Sequence, residues 1–244
     1  MREKGISGST LKMIAVVTML IDHTAAVLLA RILLADGTAL HEGMLVVYNI
    51  MRMIGRIAFP IFCFLLVEGF LHTRAPRKYA LRLGLFALIS EIPFDLAFHA
   101  ELLEGSYQNV FFTLWIGLLT MMGFAAIERH TDWKMGVRTV LYAAAVCAGM
   151  AAAELFGCDY GALGVVCILI LYLFRRDRKQ QILAGCLAFV WWEWPAVFAF
   201  LPVYFYNGKR GWRLKYLFYI FYPAHLLVLY GIACAIGYGA VSVV

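Results

Sequence analysis

Apolar residues in this chain fall in long runs separated by short polar segments, and no run alternates in the period-two manner of a half-buried strand. A helix needs about 20 apolar residues to cross a bilayer core. The first run predicts a helix over Lys12–Arg31, about 30 Å long. A second apolar segment, MLVVYNIM, leads through Arg52 and Arg56 into a helix IAFPIFCFLLVEGFL. Further helices are predicted over LGLFALISEIPFDLAF, VFFTLWIGLLTMMGFAAI, residues 137–156 and residues 160–174. Residues 182–206 are apolar but broken at Glu193-Trp194-Pro195, which predicts one kinked helix or two short ones. A last helix is predicted over 214–238, for eight or nine crossings in all. The expected fold is an all-α, polytopic integral membrane helical bundle. With no internal repeat, low-complexity segment or linker, residues 1–244 are read as one domain.

The polar segments carry an orientation. HTRAPRKYALR, ERHTDWK and RRDRK are basic or mixed, whereas ADGTALHEG and HAELLEGSYQN are acidic. Lys and Arg mark the cytoplasmic side, so the N-terminus is expected in the cytoplasm. Asp22 and His23 interrupt the first run, which argues for a retained helix rather than a cleaved signal.

Composition supports this reading. Of 244 residues, 64% are hydrophobic and 15% charged, against about 45–50% and 25% in a soluble domain. The net charge of +6 sits in membrane loops, so no nucleic-acid partner is expected. The six cysteines form no CxxC pair, and neither a disulfide framework nor a metal site is expected.

Ionisable residues at bilayer depth are costly and mark function. His23 lies eleven positions after Lys12. That spacing puts both on one helix face, His23 about 16.5 Å further along. Asp22 points about 100° away, toward a basic group on another helix. Arg52 and Arg56, at i,i+4, either clamp an anion or neutralise Asp22. Glu91 and Asp95 share a face around Pro93, as a general-base pair or as partners for Arg52 or Arg56. Glu68, four residues before His72, ends its helix. His225 follows Pro223 in the last apolar segment. Trp191, Trp192 and Trp194 suit an interfacial belt. No GxxxxGK[ST] or GxGxxG is present.

Taken together, LKMIAVVTMLIDH, FPIFCFLLVEGFLHT, KYALRLGLFALISEIPFDLAF, NVFFTLWIGLL, YNGKRG and KYLFYIFYPAHLLVLY resemble the TraX family of membrane proteins. The resemblance covers more than half of the chain. TraX in turn resembles the acyltransferase type 3 membrane enzymes, in which a basic residue on the first helix precedes a catalytic histidine by eleven positions. Lys12 and His23 match that spacing, Glu68-Gly69-Phe70 matches a GF motif, and Tyr222-Pro223-Ala224-His225 matches a late histidine.

The resemblance implies a membrane acetyltransferase of the bacterial cytoplasmic (inner) membrane, with acetyl-CoA as acyl donor. The acceptor is a peptide N-terminus, as family members acetylate pilin, or a sugar or lipid headgroup. His23 is then the general base, oriented by Asp22 or Glu91, with His225 also catalytic. Lys12 or Arg56 stabilises charge on the thioester oxygen. Lys12, Arg52, Arg56, Arg77, Lys78, Arg82, Lys209 and Arg210 fall to the donor, and Glu68, Asp95 and Asn109 to the acceptor. A proton-coupled transporter using the same intramembrane Asp, Glu and His residues is the alternative.

Overall fold

Prolines, caps and close helix contacts decide where these runs begin and end in the computed structural model of the protein. It describes residues 5–36, 42–212 and 215–243. The MREK start, residues 37–41 of the acidic ADGTALHEG loop and residues 213–214 of the last basic loop lie outside the described residues. All regular elements among the described residues are helices, with two isolated bridges and no strand. The chain divides into two compact units, one of Met1–Phe62, Ile89–Glu104 and Phe189–Val244, the other of Cys63–Leu88 and Gly105–Ala188.

In the first unit, α1 (Gly8–Thr24) starts at Ser7, whose Oγ accepts from the Thr10 N–H. A π-helical turn, Ala25–Leu29, joins it to α2 (Ala30–Asp36). The predicted end at Arg31 is therefore passed. The guanidinium of Arg31 is fully buried. It donates to the carbonyls of Val27 at 2.9 Å and Ala97 at 2.6 Å, so it bridges the π turn to another helix end. Helix α3 (Glu42–Gly55) packs along α1 and contains the segment MLVVYNIM.

Three helices contribute to both units: α4 (Ala58–His72), α5 (Pro76–Phe98) and the helix over Arg178–Val190, whose last two residues belong to the first unit. The predicted basic loop shrinks to residues 73–75, because Pro76 opens α5. Proline suits a first helical position, where its missing N–H leaves no bond unmade. Arg77, Lys78 and Arg82 thus sit on helix rather than loop.

The second unit is built on α6 (Val110–Arg129), α7 (Met135–Leu155) and α8 (Gly161–Leu173), each packed on the other two. Small residues let these backbones approach. A Cβ on Gly117 would fall 2.5 Å from Ile168, and one on Gly149 would fall 2.5 Å from Thr120. Asn109 is fully buried and caps α6. Its Oδ1 accepts from the Phe111 N–H at 3.0 Å and its Nδ2 donates to the Ala87 carbonyl at 2.9 Å. Asn109→Ala removes both bonds and should cost about 2 kcal/mol, read as a fall in melting temperature in detergent. Asn109→Ser keeps an uncharged capping oxygen and loses only the bond to Ala87, so it should fall less. Equal losses would refute the cap as the larger contribution.

The chain then forms α9 (Arg178–Val190), a 3₁₀ turn over Trp194–Ala199 that Pro195 helps open, and α10 (Phe200–Tyr204). This is the two-piece alternative for residues 182–206. Helix α9, with 13 residues, is about 20 Å long and shorter than a bilayer core. The last helix, α11 (Lys215–Ala235), contains Pro223.

Among the described residues, four helical stretches are long and apolar enough to cross a membrane, namely Gly8–Ala35, Glu42–His72, Val110–Arg129 and Met135–Leu155. The other runs counted toward eight or nine crossings are shorter apolar helices (Gly161–Leu173, Trp194–Tyr204, Tyr219–Ala235) or, in α5, rich in charge. The protein is a helical membrane protein.

Candidate functional site

The start of α1 is strapped by the chain that follows α10. The Gly8 and Ser9 N–H groups donate to the carbonyls of Lys209 at 2.8 Å and Arg210 at 3.0 Å. Ile6 donates to Phe205, Asn207 donates back to Ile6, and Trp212 N–H donates to Ser9 Oγ at 3.1 Å. The first N–H groups of a helix lack partners inside it, and here the YNGKRG segment supplies carbonyls to them. The strap brings Arg210 within electrostatic range of Lys12. Lys12, Lys209 and Arg210 thus gather at one end of α1.

His23 lies three turns further along. Its Nδ1 is 2.7 Å from Nε2 of His225 on α11. The Nδ1–H of His225 donates to the Phe221 carbonyl at 2.7 Å. The two imidazole planes differ by 6° and their centres are 4.9 Å apart, much farther than the bonded nitrogens, so the rings meet edge to edge in one plane. The ring edges of Phe98 and Tyr222 close on His23, with centroids at 5.7 and 5.9 Å. His225 is 6% exposed. His23 therefore has a histidine partner, where the sequence pointed to Asp22 or Glu91.

Asp22 turns away, as its position on the helix requires. Its Oδ2 accepts from Arg52 Nη1 at 2.8 Å. Of the two roles open to Arg52, the structure shows the neutralising one. Arg56 Nε lies 3.5 Å from Glu193 Oε1. The carboxylates that meet these two arginines in ion pairs are thus Asp22 and Glu193. A groove of about 340 Å³ runs along this side, lined by Asn49, Arg52, Met53, Arg56 and residues Trp192–Pro195. Trp192 and Trp194, read above as interfacial belt, are among its walls.

Glu91 is 9% exposed and Asp95 fully buried on α5. Asp95 Oδ2 accepts from the Glu104 N–H at 2.9 Å, and His99 approaches Glu104 at 4.0 Å. In the second unit, Glu68 pairs with Arg178 at 3.1 Å, whose guanidinium lies over the Phe64 ring. Arg77 and Lys78 are exposed and Arg82 half-buried there. Asn109 is occupied as a helix cap.

Two residues have roles that the sequence pattern does not give. Arg31 reads as a helix end, although the apolar Ile32-Leu33-Leu34 after it signals continuation. Glu193 reads only as part of a break in the apolar run, and it pairs with Arg56.

A family model described as "TraX protein" matches residues 7–233. A protein of Dichelobacter nodosus named "Probable fimbrial assembly protein FimC, serogroup H1" is 32% identical over 257 residues, covering 93% of this chain and 96% of that protein. No solved structure matches.

Proposed function

The chain belongs to the TraX family, and from that premise we propose that it is an integral-membrane acetyltransferase of the bacterial cytoplasmic membrane, transferring acetyl from acetyl-CoA to an amine. The observation that carries this reading is the hydrogen bond between His23 and His225, which holds an imidazole ready as a base inside the membrane segment. Lys12, Lys209 and Arg210 suit the phosphates of the donor, and its acyl arm extends along α1 toward His23. Lys12 itself lies about 16.5 Å along the helix from His23, too far to touch the reacting carbonyl. It serves the phosphate end. The relative's name ties that protein to fimbrial assembly. Carried to this chain, the acceptor is a peptide N-terminus.

The chemistry is direct transfer. The neutral amine attacks the thioester carbonyl while His23 takes a proton from its nitrogen. The tetrahedral intermediate collapses, the C–S bond breaks, and the departing sulfur receives the proton from His23. One amide and one free thiol result, and the histidine is restored.

Calorimetry on the detergent-purified protein tests the donor. Acetyl-CoA should bind wild type and His23→Ala alike, with a Kd of about 1–100 μM, roughly 5–8 kcal/mol. Absence of binding by wild type would remove the donor and with it the acetyltransferase reading.

A further inference from the structure

The hydrogen bonds of the histidine pair have a direction. The Phe221 oxygen is a carbonyl and only accepts. The nitrogen 2.7 Å from it, Nδ1 of His225, therefore carries a proton. A neutral imidazole has one N–H and one lone pair, so Nε2 of His225 is an acceptor. The atom 2.7 Å from that lone pair is Nδ1 of His23, which must donate. The lone pair of His23 is then on Nε2.

We infer that His225 is a positioning residue, locked by the backbone of its own helix, which fixes His23 in the Nδ1–H tautomer and presents Nε2 as the base. The edge-to-edge, nearly coplanar rings have the in-line geometry that an N–H···N bond needs. The lock is local to α11. Phe221 is four residues before His225 and on the same face, and a carbonyl has a second lone pair beyond the one its helix uses. Pro223 lies between them and loosens the backbone.

The arrangement differs from a Ser-His-Asp triad in its last member. There a carboxylate holds the tautomer and offsets the imidazolium charge. Here the relay ends on a neutral carbonyl. It can hold the tautomer, but it offers no full negative charge. The positive charge that His23 gains on taking a proton is balanced instead by the oxyanion forming beside it, which ties proton transfer to bond formation in one site.

The catalytic consequence rests on the acetyltransferase reading, but the tautomer does not, and the test separates them. The full chain carries six histidines. Nitrogen-15 histidine spectra in detergent, assigned with His23→Gln and His225→Gln, report which nitrogen of each ring is protonated, with no substrate present. Wild type should show both His23 and His225 protonated on Nδ1. His225→Ala should release His23 from that form, while His225→Gln, whose side-chain oxygen can accept from Nδ1–H, should keep it. Acetyl transfer to a peptide with a free N-terminus should follow the tautomer: down about 10²- to 10⁴-fold in His225→Ala and within about tenfold of wild type in His225→Gln, with donor binding unchanged in both. A wild-type His23 protonated on Nε2, or a His23 tautomer indifferent to His225→Ala, overturns the inference. A wild type that shows the Nδ1–H pair yet binds no acetyl-CoA leaves the lock standing and removes only the reaction assigned to it.

Discussion

His23→Ala is expected to lower acetyl transfer by about 10²- to 10⁴-fold, the contribution of a positioned general base, while the protein still binds acetyl-CoA. The two halves of that outcome come from different parts of α1. The donor's phosphates are assigned to the basic end at Lys12, Lys209 and Arg210, held by backbone bonds from Gly8 and Ser9. Those bonds lie about four helical turns from the deleted ring and do not involve it. The fold has its own control in His23→Gln, which replaces the ring by a polar side chain between Phe98 and Tyr222 and avoids most of the void. Both variants should retain the wild-type melting temperature within a few degrees and both should be inactive. An alanine variant that turns over at the wild-type rate would exclude His23 as the base. Loss of donor binding together with loss of stability would instead mean that His23 holds α1 and α11 together.

The parts of this molecule that sequence reveals are those set by one helix at a time. Helical spacing alone puts Lys12 and His23 on one face and turns Asp22 toward a basic group on another helix, and Arg52 is that group. The long apolar runs likewise give the membrane helices. Pairings between distant segments are a different matter. His23 and His225 are 202 positions apart, and periodicity assigns each a face without naming what the face meets. The choice of Asp22 or Glu91 as orienting partner followed from the usual chemistry of triads, and the structure puts a second imidazole in that place. Arg31 shows the same limit. A lone arginine late in an apolar run ordinarily reaches back to the interface, whereas here backbone carbonyls of the π turn and of α5 receive it. Nothing in the local pattern announces a π turn. Positive charge marks membrane loops and so predicts a loop after α4, yet Pro76 places these basic residues in the first two turns of α5.

Gly55→Ala should have the second large effect, although Gly55 touches neither histidine. It closes α3 at the point where that helix crosses α1. A Cβ added there would come within 2.2 Å of Asp22 Cβ and Oδ1 and 2.3 Å of its Cγ, well inside contact distance for any pair of heavy atoms. Relief requires either that Asp22 break its 2.8 Å bond with Arg52 or that α3 and α1 separate. Asp22 precedes His23 in the chain, so a displacement of α1 there carries the base with it. A misplacement of about 1 Å costs on the order of 10² in rate, and overpacking of this kind costs about 1–3 kcal/mol of stability. The variant should therefore lose about 100-fold or more in transfer and several degrees in melting temperature. Asp22→Gly removes the atoms that the new methyl would strike. If the clash is the cause, Gly55→Ala should cost much less stability in an Asp22→Gly background than alone, a non-additivity expected of residues in contact. Strictly additive losses, or a Gly55→Ala protein as stable as wild type, would show that α1 and α3 do not cross this closely. The position of His23 would then owe nothing to Gly55, and the pairing with His225 on α11 would have to hold it alone.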